Sequence, residues 1–198
     1  MTLADEMVVR TTLGKYETVL SQAAFDAWVD WKALLLGGRL LFPARSRACL
    51  VYDFLAGRLL TALSDDASVH TVQKNETVKL LFGGQVLLRC KKANDRGLGS
   101  NIATQATLDF VEQQQELPGL PDMHKVELVY VLNRFQTQID RVEIVARDGD
   151  TCLWSYALAP TATCTAIPLP LAPVADADRG ARVRVKATGE GQKKEAGE

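Results

Sequence analysis

The side chains with the clearest chemical potential in this sequence are basic, and they are concentrated in two blocks. Residues 39–58 contain four arginines against one aspartate, and residues 86–100 contain four cations against one aspartate. Guanidinium and ammonium groups match the oxygens of phosphate, so these blocks predict a phosphate-binding site. The alternative is a solvated face whose cations pair with the four acids of residues 101–123. The 86–100 block lacks the interleaved aromatic residues that are typical of single-strand nucleic-acid binding.

Common catalytic motifs are absent from the sequence. It contains no phosphate-loop or dinucleotide-binding glycine pattern, no H-E-x-x-H and no G-x-S-x-G. His70 is predicted in a strand and His124 in a loop, and no glycine-framed serine or cysteine marks a nucleophile for either. The four cysteines are far apart and form no C-x-x-C pair. This spacing favours unpaired thiols in a reducing compartment over a zinc site, so we assign no metal ligands.

A metal-dependent nuclease is a third reading of the basic strand. Such a site needs carboxylates around a divalent cation and a neighbouring strand lysine that stabilises developing charge. Lys91 is a strand lysine, but residues 85–90 contain no carboxylate. Only folding would bring Asp53 or Glu76 close to it. Asp53 and Lys91 are therefore the candidate catalytic residues, and the sequence leaves open whether the protein is an enzyme and which cofactor it would use.

The first third of the chain has helical periodicity. Apolar residues from Leu3 to Leu20 fall close to helical spacing. We predict that Ser21 caps a second helix, which Gly37-Gly38 ends, and that a third helix opens at Pro43 and ends near residues 64–66.

The remaining elements are mostly strands. A strand at Val69–Gln73 is followed by two runs of alternating residues around Gly83-Gly84, which predict a hairpin with a two-residue turn. In the second run Leu87, Arg89 and Lys91 face away from Val86, Leu88 and Cys90. Ser100-Asn101 is predicted to cap a helix over residues 102–115. Three more alternating runs then predict an antiparallel meander with Asp148-Gly149 at one tip.

These elements predict an α+β fold. N-terminal helices pack on an antiparallel sheet that is built from a hairpin, one connecting helix and a three-strand meander. We expect residues 1–158 to form a single domain and residues 159–198, rich in proline and alanine, to form a mostly flexible tail. The uncharged run 151–175 contains four prolines, which argues against a spanning helix.

Length and charge narrow the class of protein. The 198 residues are 47% hydrophobic and 24% charged, with a formal net charge of −1, which excludes a disordered chain and a uniformly basic binder. The N-terminus MTLADEMVVR has neither the basic start nor the apolar core of a signal peptide. We therefore expect a cytoplasmic protein that does not enter a membrane.

Four strings in this order resemble a group of small bacterial proteins. They are PARSRACLVYD, VLLRCKKAN, SNIATQATLDFVEQQQELPGLP and the meander YVLNRFQTQIDRVEIV with LWSYAL, and together they span roughly residues 43–158. Proteins of that group are typically encoded beside a regulator that joins an Xre-type helix-turn-helix to an ImmA/IrrE-like metallopeptidase domain. Such gene pairs resemble toxin–antitoxin or phage-defence modules, of which RosmerTA is a named example.

The resemblance implies a toxin-like effector that is neutralised by its helix-turn-helix/metallopeptidase-like antitoxin. An alternative from another class is a non-catalytic module that binds nucleic acid or protein through the basic strand. The resemblance points to candidate binding residues on the third helix, the strand and the following helix start, which could surround one anion. Beside Asp53, they are Arg47, Arg89, Lys91, Lys92, Ser100, Asn101, Thr104 and Gln105.

Overall fold

A computed structural model describes residues 3–36, 42–74, 77–94, 96–100, 104–113 and 123–159. Residues Met1–Cys164 group as one compact unit. Gly37-Gly38, Glu76, Asn101 and nearly all of the predicted tail lie outside the described residues.

In the described ranges three α-helices precede the sheet and a fourth interrupts it. They are α1 (Glu6–Leu13), α2 (Glu17–Leu36), α3 (Ala44–Ala62) and α4 (Gln105–Val111). Asp5 caps α1, since its carboxylate accepts hydrogen bonds from the backbone N–H groups of Met7 and Val8. The third helix begins as predicted, with Pro43 at its N-cap.

Two predicted helix starts are wrong. A 3₁₀ turn at Gly14–Tyr16 leads directly into α2, so Ser21 lies inside that helix and is no cap. Its buried hydroxyl instead donates a hydrogen bond to the Ala159 carbonyl at 3.1 Å. The fourth helix is shorter than predicted because Thr104 occupies the N-cap in place of Ser100-Asn101. The Ser100 amide is held by the Lys92 carbonyl, which keeps this residue in the preceding loop.

The strands that the structure describes form one six-stranded sheet in chain order. They are β1 (Val69–Lys74), β2 (Thr77–Phe82), β3 (Val86–Lys92), β4 (His124–Leu132), β5 (Ile139–Asp148) and β6 (Thr151–Ala157). The hairpin and the meander are confirmed, although Phe82 pairs with Val86 and leaves three residues in the first turn. Gly83 and Gly84 both have positive φ there, which suits glycine.

The prediction of a wholly antiparallel sheet is wrong at one pair, because β3 and β4 run parallel. The reason is the connection: the chain leaves β3, crosses over through α4 and re-enters in the same direction, as a parallel pair requires. The α+β class is confirmed, with a six-stranded mixed sheet.

One face of the sheet supplies most of the core. Alternate residues such as Leu88, Leu128 and Ile144 are buried against the helices, whose contributions include Leu13 and Leu55. Two smaller apolar clusters lie on the opposite face, one containing Val129 and Val145 and one beneath α4. The central strands are therefore covered on both faces. Within the described ranges no helix is both long and apolar enough to cross a bilayer.

Candidate functional site

The basic strand β3 carries the first of the predicted site residues, Arg89, whose side chain is buried in the protein interior. Arg89 lies opposite Glu127 in the parallel register and is only 3% exposed. Its Nε donates to Glu127 Oε1 at 2.9 Å, its Nη2 reaches the same oxygen, and its guanidinium lies 4.0 Å from the Phe110 ring centroid. Burial lowers the pKa of Arg89, and Glu127 opposes that shift. Arg89 does pair internally, but it is buried and its partner is Glu127 on β4, so the alternative of a solvated face paired with the acids of residues 101–123 does not describe it.

A second arginine completes this buried cluster. Arg147 on β5 donates to the Gly99 carbonyl at 3.1 Å and lies 3.8 Å from Glu127 Oε2. The Gly99 amide donates to the same carboxylate oxygen at 2.9 Å. Glu127 on β4 thus links β3, β5 and the loop after β3. Each of its two carboxylate oxygens contacts a charged or polar group. We interpret the cluster as a scaffold that holds the loop on the sheet.

Lys91 and Asp53, the candidate catalytic residues, are not brought together. Lys91 is half-buried on the Arg89 face, where burial first and Arg89 second lower its pKa. Asp53 is exposed on α3, whose Val51 and Leu55 pack against the other face of the sheet. Lys91 and Asp53 lie on opposite sides of the sheet, so they do not form the shared active site that a nuclease would need. No group of three or more His, Cys, Asp or Glu in the described part of the chain could hold a metal ion.

Lys92, the last residue of β3, lines a polar cleft. The cleft has a volume of about 260 Å³ and lies where the parallel strands β3 and β4 both end. Its lining includes three cations and three carboxamides, a combination that offers many hydrogen-bond donors. These six residues are Lys92, Arg134, Arg141, Asn94, Asn133 and Gln136.

One wall of the cleft is the loop after β3. The Asn94 carboxamide oxygen accepts hydrogen bonds from the backbone N–H groups of Arg96 (2.9 Å) and Leu98 (3.1 Å). Gly97, at φ 77°, makes the reversal between them. The Asn94 side chain therefore stabilises this turn, and the hydrogen bond from the Gly99 amide to Glu127 fixes its far end.

The other wall is the turn between β4 and β5, residues 133–138. Asn133 Oδ1 accepts from the Thr137 amide at 2.8 Å, and Gln136 has a left-handed φ of 54°. Arg47 donates from α3 to the Gln136 side-chain and backbone oxygens, and its guanidinium lies 5.7 Å from the Trp31 ring centroid. Arg47, predicted as a phosphate ligand, is thus a support for this turn.

The tip of the same turn presents an aromatic side chain to solvent. Phe135 is 80% exposed and lies between Arg134 and Gln136, which both line the cleft. The 86–100 block contains no aromatic residue, and folding supplies one from a turn about 40 residues further along the chain. The adjacent Arg-Phe pair in a turn was the available signal, and sequence reasoning missed it.

The charges around the cleft are partly balanced. Arg141 pairs with Glu143 at 2.8 Å and with Asp140 at 3.2 Å, and the Glu143 hydrogen bond is the main cause that raises the pKa of Arg141. The Arg141 guanidinium is therefore partly neutralised by acids of its own strand.

The predicted residues around α4 have local roles. Thr104 caps the helix through a 3.3 Å hydrogen bond from the Thr107 amide, and Gln105 donates to Asp109 Oδ1 at 2.6 Å. Ser100 is exposed and contacts the end of β3 through its backbone, while Asn101 lies outside the described residues. Of the predicted set, Lys92 lines the cleft and Arg47 supports it.

Comparisons with protein-family models, with curated proteins and with solved structures give no match for this chain. The geometry of the cleft and the chemistry of its lining are therefore the basis for a functional conclusion.

Proposed function

We propose that this protein is a non-catalytic module that binds single-stranded nucleic acid at the cleft where β3 and β4 end. The carrying observation is the juxtaposition of the cationic, carboxamide-lined cleft with the exposed Phe135. Cations and amide donors suit a backbone phosphate, and a solvent-exposed phenyl ring suits an unstacked base.

The size of the cleft favours a small anionic group over a bulky ligand. Its volume of about 260 Å³ is below the roughly 300–1,000 Å³ of sites that enclose a drug-sized molecule. A phosphate would enter between Lys92 and Arg134, while the base would remain outside on the turn. Duplexes keep their bases stacked inside, so the Phe135 contribution predicts a preference for single strands.

Fluorescence anisotropy with labelled 12-nucleotide DNA and RNA strands tests the proposal. Phe135→Ala should weaken binding about 5- to 150-fold, the range expected for loss of one stacked base. Arg134→Ala should weaken binding and reduce the slope of log K against log salt by about 0.7. Arg45→Ala is the charge-matched control, because Arg45 is exposed on α3 and two residues from Arg47, which places it on the opposite side of that helix.

Unchanged affinity of both the Arg134→Ala and Phe135→Ala variants would contradict the proposal. So would equal losses in the Arg45→Ala control, which would indicate attraction by net charge alone. Tighter binding to duplex than to single strands would contradict the proposal that Phe135 stacks on an unpaired base.

We also propose, from the resemblance of the four strings, that the protein acts in the bacterial cytoplasm as a toxin-like effector of a two-gene toxin–antitoxin or anti-phage module. A helix-turn-helix/metallopeptidase-like regulator encoded beside it would neutralise it. Inducing the gene alone should stop growth, and co-expression of the adjacent regulator should restore it. Overexpression without an effect on growth would contradict the toxin role. It would not bear on nucleic-acid binding at the cleft, which the anisotropy experiment tests separately.

A further inference from the structure

A second concave surface lies on the helical layer, between α2 and α3. This α2/α3 groove has a volume of about 790 Å³ and runs between two helices of 20 and 19 residues. Apolar side chains contribute much of its lining: Val19, Ala23, Phe54 and Ala62. Gly57 widens it, since a Cβ added there would meet no atom within 4 Å.

The groove has an acidic lining. Of the described residues, Asp26 and Asp30 on α2 and Asp53 on α3 line it together with one cation, Arg58. Arg58 donates to both Asp30 oxygens at 2.6 and 2.8 Å and lies 3.3 Å from Asp26, which ties the two helices together across the groove. Three carboxylates against one guanidinium leave a formal charge of −2.

We infer that the α2/α3 groove is a docking site for a cationic amphipathic helix of a partner protein. An apolar floor between two helices accepts the apolar stripe of a third helix, the helix-in-groove mode of recognition. Lysine or arginine residues beside that stripe would meet Asp53 and the net negative charge of the groove. An anionic membrane surface is disfavoured, because the same carboxylates would repel it.

This inference goes beyond the proposed nucleic-acid binding and does not depend on it. The cleft lies at the carboxyl ends of β3 and β4 and is lined by cations, whereas the groove is lined by α2 and α3 and carries acids. Opposite charge selects opposite ligands, so one surface cannot substitute for the other.

Two variants change the groove without removing its ion pairs. Gly57→Trp fills the open space, and Gly57→Ala is its matched control, because a methyl group leaves most of the groove open. Asp53→Lys reverses one charge while Arg58 keeps Asp26 and Asp30. Asp65→Lys is the matched control, since Asp65 is exposed beyond the end of α3 and does not line the groove.

The test ligand is a labelled Leu/Lys amphipathic peptide of about 18 residues, which is about 27 Å long as a helix and matches α2. A second peptide carries glutamate in place of lysine. Anisotropy should show that the lysine peptide binds the wild-type protein and both control variants alike. Gly57→Trp and Asp53→Lys should each weaken binding at least tenfold, and the glutamate peptide should bind none of them. If Gly57→Trp loses its circular dichroism signal, Asp53→Lys decides the question.

Equal affinity across all variants, or preference for the glutamate peptide, would overturn the inference. A concentration-dependent dimer that Gly57→Trp abolishes would instead identify a second copy of this chain as the occupant. Binding to anionic vesicles that is lost in Gly57→Trp would identify a lipid surface. Either result would refute the cationic partner helix.

Discussion

Gly99 occupies the tightest position in the loop that follows β3. Its amide donates to Glu127 at 2.9 Å and its carbonyl accepts from Arg147 at 3.1 Å. A Cβ at this position would lie 2.5 Å from Glu127 Oε2 and 2.8 Å from the Lys91 Cβ. Position 99 therefore requires glycine because there is no room for a Cβ atom. Without a side chain, the loop approaches the buried Glu127 carboxylate closely enough to hydrogen-bond to it.

We expect Gly99→Ala to lower the free energy of unfolding by about 1–3 kcal/mol, the cost of overpacking a buried site. The methyl group would displace the Glu127 carboxylate from Arg89. Urea denaturation monitored by circular dichroism measures the loss. Gly57→Ala serves as the control and should be neutral or stabilising, because its helical site is open. Wild-type stability of Gly99→Ala would contradict the close contact.

Glu127→Gln should cost about 3–5 kcal/mol, because it leaves the buried Arg89 cation without its carboxylate, while Arg147 keeps Asp150 at 3.0 Å. The expected result is a large shift of the urea midpoint. Glu6→Gln provides the comparison: it removes an exposed pair with Arg10 on α1 and should change stability by less than about 1 kcal/mol. A similar decrease in the free energy of unfolding for both variants would show that the buried ion pair stabilises the fold no more than the exposed one.

At the scale of elements, α4 depends on the sheet for its stability. Seven residues are too few for an isolated helix in water. Lys125 on β4 donates to the Asp109 carbonyl at 3.0 Å and to the Glu112 carbonyl, which satisfies the end of the helix. Gln113 follows the helix and donates from Nε2 to the carbonyls of Lys125 (2.9 Å) and Arg147 (2.8 Å). One side chain therefore attaches α4 to both β4 and β5.

Gln113→Glu should detach the helix at neutral pH, since a carboxylate would face two carbonyl oxygens and cannot donate to them. We expect a loss of at least about 2 kcal/mol. Burial would raise the pKa of the new carboxyl above its unfolded value of about 4.3, so the deficit should shrink as pH falls through the folded pKa. Stability measured between pH 4 and 7 tests this trend. Gln138→Glu, at an exposed position, should show no such pH dependence.

At the scale of the whole molecule, the core between helices and sheet contains ionisable groups held in their neutral forms. Burial raises the pKa of the Cys90 thiol to about 12 and raises the pKa of Tyr130 well above its usual range. Below the unfolded pKa values both states keep these protons, so the groups cost nothing. Above them the unfolded chain releases its protons first, and the stability of the fold decreases.

Tyr130→Phe should therefore resist alkaline unfolding better than the wild type. Between the unfolded pKa of about 10 and the higher folded pKa, the wild type should lose about 1.4 kcal/mol more per pH unit than the variant. Urea midpoints at pH 8, 10 and 11 measure the difference. Parallel curves for the two proteins over this range would show that Tyr130 ionises equally in both states.

Periodicity was sufficient to predict most elements of this fold. Alternating residues identified the hairpin and the meander, and Pro43 identified the start of α3. Ser21 was misread because a serine can cap a helix or lie within one, and only the structure shows that α2 already begins at Glu17. The direction of β4 was missed because alternation is the same in parallel and antiparallel strands.

The sequence by itself determined which face of β3 carries Arg89 and Lys91, because side-chain alternation is a local property of a strand. It also determined the α+β class through the order of its periodic segments. Only the tertiary structure decided what those side chains do: β4 brought Glu127 to Arg89, the 133–138 turn brought Arg134 to the cleft that Lys92 lines, and the layering separated Asp53 from Lys91. The physical reason is that these contacts join residues distant in the chain, and their partners depend on strand direction and register.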